Sequence, residues 1–125
     1  MAAPNLVNVT SIYGKTMGAA LSTTTTTDIL TCPADKVLKI NSIIVANIDG
    51  SAPADATVYF YDSSAATRYA LASTLTVAQK VTLVVLGKDY PIYLEESDQI
   101  EAGASATGDL EIVISYEELD DASKG

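Results

Sequence analysis

The sequence predicts an all-β protein, built as one antiparallel sandwich or barrel. Three observations predict it. Apolar and polar residues alternate with a period of two in segment after segment. Clusters of Gly, Pro, Asp and Ser interrupt those segments at short intervals. No stretch carries the periodicity of an amphipathic helix, and the alanines are dispersed among Thr and Ser, which favour strands and turns.

Residues 1–21 come first, as an N-terminal arm or first strand. LVNVTSIYG is extended and mildly apolar and runs into the small-residue stretch KTMGAAL. Leu6, Val7, Val9, Ile12 and Tyr13 are the candidate contacts with a neighbouring molecule; as an ordinary first strand they would face the protein's own core. Residues 22–118 form the sandwich domain. STTTTTD is low in complexity but β-branched, which suits an edge strand or its approach. TTDILTC reads as a strand and CPAD as the turn after it.

In KVLKINSIIVANI, strict alternation places Leu38, Ile40, Ile44, Ala46 and Ile48 on one face. Val37, Lys39, Asn41 and Asn47 fall on the other, with Ile43 and Val45 as apolar exceptions, covered either by the second sheet or by another subunit. ATVYFYD sets Val58 and Phe60 against Thr57, Tyr59 and Tyr61. YALASTLTV sets Tyr69, Leu71, Leu75 and Val77 against Ala70, Ala72, Thr74 and Thr76. KVTLVVLG, with Val84 beside Leu83 and Val85, and PIYLEE give two more strands. QIEAG gives another, and in DLEIVISYE Leu110, Ile112, Ile114 and Tyr116 share a face. Turn signals lie between them, at DGSAPAD, DSSAAT, GKDYP, EESD and ATGD. Residues 119–125 read as a flexible acidic tail.

Composition narrows the function. At 125 residues and 48% hydrophobic, the chain is one domain able to bury a core without staples. Cys32 has no second cysteine to pair with, so it is a buried small hydrophobe or a free thiol. A net charge of −9 with seven scattered Lys and Arg argues against nucleic acid and anionic membrane as partners. MAAPNLVNVT lacks the basic start and apolar run of a secretory signal, and no apolar run approaches a membrane span. Without a signal, Asn8-Val9-Thr10 is a chance match to a glycosylation acceptor.

The chain has no histidine, so neither a Ser–His–Asp triad nor a Cys–His nucleophile can be assembled. The glycines are single, with no phosphate-binding loop among them. Carboxylates crowd residues 94–121, yet their pattern is that of a wet sheet face and its turns. Glu95, Glu96 and Asp98 sit in a turn; Glu111 and Glu117 fall on the polar face of the last strand; Glu118, Asp120 and Asp121 follow. Nothing nominates a glycosidase pair among them. Calcium would find oxygens at the acidic turn, but no loop has the alternating acids around a central Gly; DGSAPAD carries its Gly in second place. The expectation is a protein that is not an enzyme, with no catalytic residues, metal or cofactor.

Three stretches carry a resemblance: NLVNVTSIYGKTMGAAL, KVLKINSIIVANIDG and YLEESDQIEAGASATGDLEIVISYEEL. Together, over residues 5–119, the chain resembles small virion structural proteins of tailed phages of marine and cyanobacterial hosts. IYLEESDQIEA is also similar to the penultimate hairpin of jelly rolls, including trimeric capsid decoration proteins, so the resemblance implies a jelly-roll-like sandwich. An immunoglobulin-like sandwich, which has the same periodicity, is the alternative. The function implied is a capsid decoration (cement) protein, made in the bacterial host cytoplasm and bound to the outer capsid surface of the virion. Its partners would be the major capsid protein and itself, as a homotrimer, with no nucleic acid and no membrane. The alternatives are a neck, tail or fibre component, including a glycan- or receptor-binding one, and a calcium- or sugar-binding module outside the virion.

Overall fold

The period of two is realised as strands along the whole described chain. A computed structural model describes residues 12–120. They form β1 (Ile12–Ala20), β2 (Asp28–Thr31), β3 (Lys36–Asn47), β4 (Ala54–Asp62), β5 (Thr67–Val77), β6 (Thr82–Leu86), β7 (Ile92–Leu94), β8 (Gln99–Ala104) and β9 (Leu110–Asp120). Two antiparallel sheets result. The front sheet runs β1-β9-β3-β6, with β7 also on β3; the back sheet runs β2-β8-β4-β5.

The pairing is that of one long hairpin folded over on itself. β1 pairs β9, β2 pairs β8, β3 pairs both β6 and β7, and β4 pairs β5. β6 lies beside Ile43–Ala46 and β7 beside Leu38–Ile40, so these two short strands share one place in the order. Successive nested pairs alternate between sheets, which is the jelly roll. An immunoglobulin-like sandwich keeps its first two strands in one sheet; here β1 and β2 lie in different ones.

The two sheets contribute unequally to the core. The front sheet supplies large aliphatic side chains, Leu38, Ile40, Ile43, Val45, Leu94, Leu110, Ile112 and Ile114, all buried. The back sheet answers mostly with alanines, Ala54, Ala56, Ala72, Ala102 and Ala104, joined by Val58 and Ile100. Large against small lets two facing layers interdigitate at close-packed density without a void. Cys32 is buried in this cluster as a small hydrophobe.

β9 follows its sequence pattern, with Leu110, Ile112 and Ile114 fully buried. β3 does not. A bulge between Ile40 and Ser42 inserts one residue against β9 and reverses the alternation. Leu38 and Ile40 face the core as expected, but beyond the bulge Ile43, Val45 and Asn47 do. Ile44 and Ala46 turn outward, and Ile48 is exposed in the following loop. Buried Asn47 is satisfied: its Nδ2 donates to Ala52 O (3.1 Å) and Val77 O (2.9 Å), and its Oδ1 accepts from Asp49 N–H (2.8 Å).

β5 departs in the same way. Register shifts against β4, and Thr74 in a left-handed conformation (φ 51°), break its alternation. Ala72 and Val77 are buried, whereas Tyr69 and Leu75 are exposed. At the other end, Leu119 is buried and Asp120 is ion-paired with Lys36, so both belong to β9 and not to a tail.

Residues 22–27 are a loop leading to β2. Its carbonyls continue the ladder on β8: Ser22 O accepts from Ala104 N–H (2.8 Å) and Thr27 O from Ala102 N–H (3.0 Å). Gly103 is required there, since a Cβ would sit 2.5 Å from the Thr25 Cα.

Candidate interaction surface

The strand registers lay out the outer face of the front sheet row by row. Gly18, Val113, Ile44 and Val84 stand opposite one another across four strands. The next row is Thr16, Ser115 and Ser42, the first two 3.4 Å apart between hydroxyl oxygens. Beyond these lie Ala20, Glu111, Ala46 and Thr82 on one side, and Gly14, Glu117, Lys39 and Tyr93 on the other. The two central rows carry no ionisable group. Val84 is 63% exposed. Because β1 beyond Ile12 points Gly14, Thr16, Gly18 and Ala20 outward, the face is low along that stretch, with a shallow depression of about 350 Å³ beside Gly18, Ala20, Glu111 and Val113. An apolar and hydroxyl-bearing centre with charges at the ends is the layout of a protein contact.

Of the five candidate contact residues, Leu6, Val7 and Val9 lie outside the described residues. Ile12 and Tyr13 open β1 and are 60% and 55% exposed. The structure places them on successive positions of an edge strand, so their side chains point to opposite faces.

The back sheet closes its own outer face. Glu101 on β8, buried, accepts from Arg68 Nε (2.7 Å) and Nη2 (3.3 Å), and the guanidinium lies 5.2 Å from the Tyr61 ring centroid. The carboxylate holds the Arg68 pKa above its ordinary value. Sequence reading missed this cluster: the residues are far apart in the chain, and the only signal was an acid between Ile100 and Ala102 in a buried run.

The carboxylates of residues 94–121 are dispersed. Buried Asp98 organises two turns: Oδ1 accepts from Ser63 N–H and Oδ2 from Glu95 N–H, both at 3.0 Å. Such a carboxylate stands in for a missing backbone partner at a chain reversal. Glu96 accepts from Asp35 N–H (3.2 Å), Glu117 from Asn41 Nδ2 (3.1 Å) and Glu118 from Lys15 Nζ (3.1 Å). Asp120 pairs with Lys36 and, as a hydrogen-bond acceptor, raises the lysine's pKa. Asp121 lies outside the described residues. Among those described, no three His, Cys, Asp or Glu side chains are grouped to hold a metal ion. Asp49 in the β3–β4 loop has its pKa lowered by the Ser51 N–H and hydroxyl that bond to it.

Cys32 is not activated. Burial pushes its thiol pKa up to about 12, against a smaller lowering by a backbone hydrogen bond from Leu38. A thiolate nucleophile needs the opposite shift. Compared with protein-family models, with curated proteins and with solved structures, the chain gives no match.

Proposed function

We propose that the protein is a phage capsid decoration protein, binding the outer capsid surface and tying neighbouring capsomers together. The observation that carries the reading is the outer face of the front sheet: an uncharged centre of Gly18, Val113, Ile44 and Val84 on a rigid jelly roll. A cement protein needs this combination. It works mechanically, so it requires a stiff body and a contact face and no reactive group. The chain as a whole is acidic, and a net charge of −9 would help hold such a protein soluble at high local density. The sequence resemblance to small virion proteins points the same way, and jelly rolls recur in viral capsid and lectin domains.

The reading makes the protein a non-enzyme with the major capsid protein as its partner. Its test is the copy number in purified particles, by quantitative mass spectrometry against that protein. Hundreds of copies are expected. A dozen or so would move it to the neck, tail or fibre, and absence from the particle would sink the virion reading altogether.

A further inference from the structure

Among the described residues four sheet edges border the sandwich, and three are protected in recognisable ways. β5 is bulged, with register shifts and left-handed Thr74. β6 and β7 are short and separated by a loop containing Pro91. β2 has four residues and a register shift, and its ladder on β8 is continued by the Thr-rich loop. These are the devices that keep edges from pairing.

β1 has none of them. It runs nine residues in unbroken register with β9, without proline. No described strand lies on its other side, and Gly14, Thr16, Gly18 and Ala20 are exposed. The direction of its backbone groups follows from the next residue. Leu21 N–H donates to Leu110 O (2.9 Å) and Leu21 O accepts from Gly108 N–H (3.0 Å), so both Leu21 groups point toward β9. Successive residues of a strand point alternately to its two sides. Ile12, Gly14, Thr16, Gly18 and Ala20 therefore aim their N–H and C=O groups outward from the sheet edge. A row of exposed backbone donors and acceptors of this length is recognised by another extended strand.

We infer that the strand is β1 of a second copy, paired antiparallel about a two-fold axis at Thr16. Two arguments select the same chain. Charge is the first: the 16 acids make copies repel, yet none lies on β1, and its one charge, Lys15, is held by Glu118 at 3.1 Å. Shape is the second. Centring on Thr16 uses all nine residues and sets Ile12 against the second copy's Ala20, Tyr13 against its Ala19, and Gly14 against its Gly18. The two large exposed side chains thus meet the two small ones, and Lys15 comes opposite Met17. The ladder would exchange about ten hydrogen bonds, the number of an ordinary specific interface. The front sheets join into one sheet through both molecules, and their uncharged outer faces become continuous.

Identical edges meeting in this way close at two copies, in place of the homotrimer that the resemblance implies. The inference stands apart from the capsid reading: a dimer that ignores particles, or a monomer that coats them, separates the two.

The test is mass in solution by light scattering after size exclusion, across a dilution series of the full chain. A dimer is expected that becomes monomeric in Thr16→Pro, which deletes the outward N–H at the axis. Thr16→Asp, which places two like charges there, should do the same if the proline variant fails to fold by circular dichroism. Thr16→Cys should form a disulfide between copies under oxidising conditions. A monomeric or trimeric wild type overturns the inference, as does a dimer that survives Thr16→Asp.

Discussion

The outer faces of the two sheets are built to different ends. On the back sheet the chain covers its own surface. The Thr-rich loop lies over Gly103, and Arg68 closes over Glu101 and Tyr61. On the front sheet the same positions in the weave carry glycine, serine, valine and isoleucine with nothing described lying over them. Both faces are central in their sheets, so burial in the sandwich does not explain the contrast. An open face here is a property of residue choice: a chain able to cover one outer face with its own side chains leaves the other smooth.

Two glycines turn this contrast into the largest expected effect. Gly103→Ala puts a methyl 2.5 Å from the Thr25 Cα and 2.8 Å from the Thr24 carbonyl oxygen, both backbone atoms that cannot rotate away. The loop must lift and give up its hydrogen bonds to Ala102 and Ala104. Overpacking of this kind costs about 1–3 kcal/mol or more. Gly18→Ala, on the front face, puts its methyl 3.6 Å from the Ile112 carbonyl oxygen, an ordinary contact. It should be neutral or stabilising by about 0.5–1 kcal/mol, because alanine has less backbone freedom to lose. Thermal melts of the pair decide it. Equal destabilisation by both would mean that the front face is as tightly covered as the back.

A smaller effect is expected where the back face is held by charge. Arg68→Ala leaves the Glu101 carboxylate buried with neither of its guanidinium bonds, so the melting temperature should fall. Arg68→Lys should restore part of the loss, since a single ammonium cannot supply two parallel bonds. A melting temperature for Arg68→Ala equal to wild type would show that this pair does nothing to hold the back face.

How much of this was legible in the sequence depends on whether information is local. β9 could be read from alternation alone, because Leu110, Ile112 and Ile114 meet no bulge on their way through the core. β3 could not. The extra residue between Ile40 and Ser42 has no signature in KINSII, so a strict count of two exchanged Ile43 and Val45 with Ile44 and Ala46. That one step also hid the contact face, since the outward row is centred on Ile44. The choice between jelly roll and immunoglobulin-like sandwich was invisible for a related reason: pairing β1 with β9 joins opposite ends of the chain, and periodicity describes each strand by itself. Arg68 and Glu101 met for the same non-local cause, through the β4–β5 and β4–β8 registers. Val84 stands beside Leu83 and Val85 in an apolar run, but its exposure follows from lying opposite Ile44 on the outward side of the bulge.

The smallest effect on stability should accompany the largest effect on function. Val84 ends the uncharged row, and an exposed valine contributes little to folding. Val84→Asp should therefore change stability by no more than about 0.5 kcal/mol, the usual range for surface substitutions. In an interface the same change is severe, because a carboxylate pressed against an apolar partner surface is desolvated without a counter-charge. On the proposed capsid reading, the variant should sediment far less than wild type with particles stripped of the native protein. Lys39→Ala, at the charged end of the face, serves as the comparison and should lose little, as rim charges do. If Val84→Asp binds particles as well as wild type while folding normally, the front face is not where the capsid is held.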